Sequence, residues 1–207
     1  MNDQLRYLQQ EVSRLQDENR SLKGEVFSLR EVIDSIGLLS SAINELDPGT
    51  EIMPLLGRLL ASALAVIHAE DGSLLVLDEE TGELVFVLSN GKIPQEVLAG
   101  VRIPPGKGIA GWVASHNLPT IVNNASSDDR FYAGVDSHFD FTTNSVLAVP
   151  IAADGRVMGV LEVLNKTSGA MFTETDQALL SLLCRFAGDV IQSVIRRDEV
   201  TGLSDVG

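Results

Sequence analysis

The chain has 207 residues, 44% of them hydrophobic, and 15 basic against 29 acidic residues give a net charge of −14. The composition can build a real core, but scattered lysines and arginines in an acidic chain argue against nucleic acid and against anionic membrane surfaces. A single cysteine, Cys184, excludes an internal disulfide and a multi-cysteine zinc site.

The first element is a heptad repeat. With Leu5 as an a position, the a series is Leu5, Val12, Asn19, Val26, Ile33, and the d series is Leu8, Leu15, Leu22, Leu29, Ile36. β-Branched residues at a with leucine at d favour two parallel strands, and one Asn at a fixes register because facing amides bond only when aligned. Glu18 and Glu25 at g meet Lys23 and Arg30 at the e positions of a second copy. Such exposed pairs are each worth about 0.2–1 kcal/mol, so they select register more than they stabilise. A helix folded back on its own domain would need a wider apolar stripe. Residues 1–37 are therefore expected to form a homodimer through Leu8, Val12, Leu15, Asn19, Leu22, Val26, Leu29 and Ile33. The chain opens into charged heptads rather than a signal peptide, and its longest apolar stretch, Leu55 to Ile67, is too short to span a bilayer. A cytoplasmic protein without membrane contact is expected.

The helix is expected to stop at Asp47-Pro48-Gly49, and Thr50 to cap a second helix carrying Leu55, Leu56, Leu59, Leu60, Ala63 and Ile67. The period then changes to that of strands at Ser73–Leu77 and Leu84–Leu88, joined by a polar loop. A short strand at Val101–Ile103, a helix over Gly108–His116 and a strand at Pro119–Val122 follow. The polar segment from Asn123 to Thr142 has no strand character. Strands at Ser145–Ile151 and Val157–Leu164 flank an Asp154-Gly155 turn. Thr173 then caps a long final helix with Asp176 in its first turn. Helices on a mostly antiparallel sheet make an α+β domain.

Several ordered motifs carry a family resemblance. Gly106-Lys-Gly-Ile-Ala-Gly-Trp-Val-Ala114, Asn123-Asn124-Ala125, Asp129-Arg130-Phe131, Val146-Leu-Ala-Val-Pro-Ile151 and Gly159-Val-Leu-Glu-Val-Leu-Asn-Lys166 together resemble a GAF domain. The resemblance spans residues 38–197 and implies a six-stranded antiparallel sheet, a small-molecule sensor and terminal helices that join dimeric signalling helices. Residues 198–207 remain as an expected flexible tail. The subset of this family that binds cyclic AMP or cyclic GMP carries an Asn-Lys…Phe…Asp-Glu signature, matched here by Asn165, Lys166, Phe172 and Asp176, with Gln177 replacing the Glu. An ion pair between Lys166 and Asp176 would clamp strand to helix, a structural role. The resemblance implies a ligand lined by Ser73, Ile109, Ala110, Asn124, Asp128, Phe131, Thr143 and Glu162. Glu162 stands out without it, since a carboxylate amid Val160, Leu161, Val163 and Leu164 needs a partner or a ligand donor. Phe139-Asp140 departs from the family's Thr-Gly and weighs against an anionic nucleotide.

The same stretch spells G-x-G-x-x-G over Gly106–Gly111, but Pro104-Pro105 precedes it and the helix is short, so no dinucleotide fold is expected. Exposed amides there, beside Lys107, could still hold an anion. His68, His116 and His138 lack metal spacing, Cys184 reads as a buried inert thiol, and Trp112 as core. No nucleophile sits beside a general base, and free-methionine-sulfoxide reductases of this fold need several cysteines, so no enzyme is expected. Residues 197–203 resemble the Asp-x-Leu-Thr-Gly-Leu boundary before diguanylate cyclase domains, and the chain stops four residues on, so a signal is expected to leave through a partner protein or the coil. Two functions fit: a dimeric sensor with cyclic nucleotide the leading ligand, or a scaffold whose pocket is vestigial.

Overall fold

The computed structural model describes residues 2–44 and 52–202. Helix α1 spans Asn2–Asn44 and α2 spans Met53–Ile67. The expected Asp47-Pro48-Gly49 terminator and Thr50 cap lie outside the described residues; Ile52 holds the N-cap position of α2 without a side-chain bond. Six strands follow: β1 Ala69–Leu77, β2 Leu84–Asn90, β3 Arg102–Ile103, β4 Thr120–Val122, β5 Val146–Ala153 and β6 Arg156–Lys166. Helices α3 (Gln95–Leu98), α4 (Gly108–His116), α5 (Gly134–Phe139) and α6 (Glu174–Gly202) complete the domain. The strands form one sheet in the order β3-β2-β1-β6-β5-β4, every pair antiparallel.

Strand period 2 divides the core between two faces. Leu74, Leu147, Val149, Ile151, Leu161 and Val163 pack with α2 and α6 on one side. Leu75, Phe86, Val146, Ala148 and Val160 meet α4 on the other. On the second side the residues in phase with these are Asp71, Ser73 and Glu162, so the strand alternation itself turns polar groups toward α4 and α5. That is where the cavity lies.

Helix α6 is long and apolar enough over Glu174–Arg196 to cross a bilayer, yet Leu179, Leu180, Leu183, Cys184, Ala187 and Val190 are buried in the core with α2 and the sheet. It is a core helix. Thr173 caps it as expected: its Oγ1 accepts the Asp176 N–H at 3.2 Å, and Asp176 Oδ2 accepts the Thr173 N–H at 2.7 Å. Lys166 Nζ donates to the same Oδ2 at 2.6 Å, tying the end of β6 to the start of α6. Phe172 is buried between them, and Asn123 holds its backbone with bonds of 2.8 and 3.0 Å. Asn165 accepts the Asn144 N–H at 2.8 Å and donates to the Thr142 carbonyl at 2.9 Å. The helix continues through Gly202, past the expected boundary at 197.

Helix α1 lies beside α2 and α6. Its apolar a and d side chains from Leu5 to Ile33 are 43–64% exposed, an apolar stripe left uncovered by the described residues. Within the helix Arg14 bridges Glu11 at 2.6 Å and Glu18 at 3.3 Å.

Candidate ligand cavity

A cavity of about 90 Å³ opens between the polar face of the sheet, α4, α5 and the β2–α3 loop. Its walls are apolar, with Phe86, Ile103, Ile109, Phe131, Val135 and Phe141 among them. Ser73, Ile109, Ala110, Phe131, Thr143 and Glu162, expected from the sequence, all line it. Asn124 and Asp128 do not. Asn124 is exposed and accepts the Ser126 hydroxyl at 2.9 Å. Asp128 is satisfied locally: Arg130 grips it through Nε and Nη2 at 2.9 and 2.7 Å, which holds its carboxyl below the ordinary range. The pair in turn seats the Arg130 guanidinium 4.7 Å from the Trp112 ring centre, and His116 stacks on the same indole at 4.4 Å. Trp112 is half-buried: it packs against the core on this side of the sheet and, through Arg130, also joins α4 to the segment after β4.

Helix α5 explains how the polar 123–142 segment reaches the site. Its apolar residues, Val135 and Phe139, sit one turn apart and pack on the core beneath α4. That placement presents Asp136 to the cavity. Asp136 accepts the Thr143 N–H at 2.7 Å and its hydroxyl at 2.8 Å, which fixes both side chains.

The polar lining is acidic. Glu162 lies on β6 opposite Ser73 on β1. The residue is only half-buried because the cavity lies against it, but the surrounding protein withdraws it from bulk water. That burial, reinforced by the nearby Asp136 charge, raises its carboxyl from 4.5 to about 7. Asp71, two residues from Ser73 and on the same face, is 4% exposed. Its Oδ1 accepts the Lys92 N–H at 2.7 Å, whereas Oδ2 is buried without a hydrogen-bond partner. The Lys92 ammonium stands 4.0 Å from that oxygen and is engaged by Glu70 at 3.2 Å, which raises the lysine above its ordinary value. Gly91 permits the packing: its φ is +141°, and a Cβ would come within 2.9 Å of Asp71 Cα and overlap its Oδ1.

Asp71, Asp136, Gly91 and Lys92 escaped the sequence reading. Asp71 carried the same signal as Glu162, an acid beside an apolar run, but only if β1 begins at Ala69, four residues before the expected strand. The α4 start contributes Gly108, Ile109 and Ala110, and no side chain caps that helix end. The Gly106–Gly111 pattern serves packing instead of a nucleotide loop, since a Cβ on Gly111 would sit 2.7 Å from the Gly106 carbonyl carbon. Cys184 is fully buried, which pushes its thiol up. Among the described residues no group of three or more His, Cys, Asp or Glu is placed to hold a metal ion.

A family model described as the GAF domain matches residues 54–192. The chain is 30% identical over 139 residues to the "Probable 3',5'-cyclic phosphodiesterase pde-5" of Caenorhabditis elegans, a match covering 63% of this chain and 19% of that protein. It is 38% identical over 95 residues to the "Dual 3',5'-cyclic-AMP and -GMP phosphodiesterase 11A" of Takifugu rubripes, covering 45% and 10%. The chain thus spans less than a fifth of the length of these curated relatives. Among solved structures, the GAF domain of a phosphoenolpyruvate-protein phosphotransferase from Coxiella burnetii superposes with a TM-score of 0.69 at 16% identity, over 81% of this chain and 96% of that one. The free methionine-R-sulfoxide reductase of Neisseria meningitidis, in complex with its substrate, gives 0.64 at 20% identity, over 80% and 91%. At these identities both establish the fold alone.

Proposed function

The chain belongs to the GAF domain family, and from that premise we propose a non-catalytic, dimeric small-molecule sensor of the cytoplasm that signals to a partner protein. The observation that carries this is the cavity, about 90 Å³ of open space between apolar walls with a few polar groups converging on one floor. A vestigial pocket would be expected to have filled with larger side chains, because cores pack to high density.

Cyclic AMP or cyclic GMP is the leading ligand. Support comes from the curated relatives, whose names specify cyclic phosphodiesterases, and from the amide groups at the start of α4, which suit a phosphate. The domain boundaries follow: residues 1–37 as dimerisation helix, 38–197 as sensor. The exposed a/d stripe of α1 is the surface for the second copy, parallel and in register through Asn19. Glu162 on the cavity floor lies in β6, β6 runs into the Lys166–Asp176 clamp, and α6 lies beside α1. A ligand that closes α5 over the sheet would shift α6 against α1, by no more free energy than its differential affinity for the two states.

One observation favours the scaffold alternative: three carboxylates and a single lysine line the cavity, a poor welcome for an anion. Native mass spectrometry of the purified protein separates the two. A dimer carrying a small molecule, or one that takes up cyclic AMP or cyclic GMP in a calorimetric titration, supports sensing. A protein with no bound molecule and flat titrations with both nucleotides favours the scaffold.

A further inference from the structure

Two acids stand side by side at the start of β1, and they compete for one lysine. Asp71 is 4% exposed, and its Oδ2 is buried without a hydrogen-bond partner. The Lys92 ammonium is 4.0 Å from that oxygen, about 1 Å beyond the length of a charge-assisted bond. It sits instead 3.2 Å from Glu70, whose side chain is 46% exposed. An ammonium is strongly hydrated, and burying a charge pair costs desolvation on both partners, which explains the choice of the wetter acid. A buried carboxylate oxygen left unpaired is itself costly, so the inner partner stays available. Lys92 belongs to the 91–94 segment, a strap between β2 and α3 whose Gly91, Lys92 and Ile93 line the cavity. Gln95 fixes the α3 end, accepting the Ser89 N–H and donating to the Val87 carbonyl at 2.9 Å. Between the ends, the Lys92 N–H ties the strap to β1 by donating to Asp71 Oδ1 at 2.7 Å.

We propose that Lys92 is a two-position latch on this strap: its ammonium rests on Glu70 in the outer position and moves onto Asp71 Oδ2 in the inner one, which secures the cavity wall. In the inner position both oxygens of Asp71 hold the strap to β1, so it opens less often, and opening of such segments governs entry to a covered site. A molecule filling the cavity displaces water from the inner face of the strap. The attraction between ammonium and carboxylate strengthens as that water leaves, so occupancy and the inner position favour each other. Lys92 acts here as a positioning residue, and Glu70, outside the cavity lining, as the competitor that holds it out. The link to occupancy rests on the cavity being a ligand site, as in the preceding section; the latch itself does not.

The test is hydrogen–deuterium exchange of the full chain at pH 7, read on peptides covering residues 89–98, with calorimetry against cyclic AMP and cyclic GMP on the same samples. Glu70 and Lys92 are both exposed, so their variants keep the fold. Without ligand, Glu70→Ala removes the outer partner and should slow exchange in the strap at least threefold. Lys92→Met keeps the aliphatic stem but not the charge, and should speed it at least threefold. Adding Glu70→Ala to Lys92→Met should change nothing further, an outcome that a merely structural role for Glu70 would not give. A nucleotide that binds the wild type should bind Glu70→Ala at least threefold more tightly. Strap exchange unchanged or faster in Glu70→Ala overturns the proposal, as does an equal slowing in the Lys92→Met background. Equal nucleotide affinity in wild type and Glu70→Ala overturns the link to occupancy. Flat titrations with both nucleotides would count against the sensing function, while the exchange rates still decide the latch.

Discussion

Glu162 makes ligand-free stability depend on pH in a direction opposite to that of most carboxylates. The folded protein keeps its proton to about pH 7, while the unfolded chain releases it near 4.5. The stabilisation is therefore fully present below pH 4.5 and is lost as the pH rises through 7. That interval, at about 1.4 kcal/mol per pH unit, is worth about 3 kcal/mol. Water reaching the half-buried side chain from the cavity screens part of it, leaving about 2 kcal/mol. The groups facing Glu162 across the cavity are Asp136 on α5, Asp71 on β1, Lys92 after β2, and Tyr132; Asp136 adds to the shift through its negative charge. Glu162→Gln removes the titration and keeps the shape. In urea denaturation at one fixed protein concentration, the variant should match wild type near pH 5 and exceed it by about 2 kcal/mol at pH 8.5. An identical difference between the two proteins at both pH values would refute the placement of this carboxylate.

Three further outcomes follow from the geometry. Asp176→Ala leaves Lys166 unpaired and removes the carboxylate that accepts the Thr173 N–H, while the Thr173 hydroxyl still caps α6, so it should cost about 3–5 kcal/mol in denaturant melts while the surviving folded fraction keeps its ligand affinity. Asn19→Val should raise the thermal midpoint but spread the oligomeric state in light scattering, whereas Leu22→Cys should cross-link to itself under mild oxidation; a monomer at micromolar concentration would contradict both. Gly91→Ala should cost more than 1 kcal/mol and distort the Asp71–Lys92 contact, checked by thermal melting, because its Cβ would overlap Asp71.

Much of the fold was legible because its signals are periodic. The heptads mark α1, and the strong apolar runs at Ser145–Ile151 and Val157–Leu164 mark β5 and β6, whose two faces contribute to both cores. Thr173 and Asp176 announced the start of α6 through capping chemistry. Short elements were not legible. Helix α5 has two apolar residues in six, too few to set a period, and it forms because Val135 and Phe139 find a core built by distant strands. Helix α3 is fixed by Gln95, whose Nε2 donates to the Val87 carbonyl at 2.9 Å. The cavity was legible where an acid interrupts an apolar run, as at Glu162. It was hidden where a site residue stands next to a glycine or in a polar loop, as Asp71 and Asp136 do. Asn124 and Asp128 had the right neighbours in sequence but satisfy themselves locally, a preference that spacing alone does not reveal.

The central claim is that occupancy of the cavity is felt in the N-terminal coil. Spin labels at Leu15 on α1 and at Phe139 on α5 measure both ends of that path in one sample. Adding cyclic GMP or cyclic AMP at millimolar concentration should change the label mobility at Phe139 and the inter-copy distance at Leu15 together. No change at either label, alongside flat calorimetric titrations with both nucleotides, would contradict the account and leave the dimer as a scaffold.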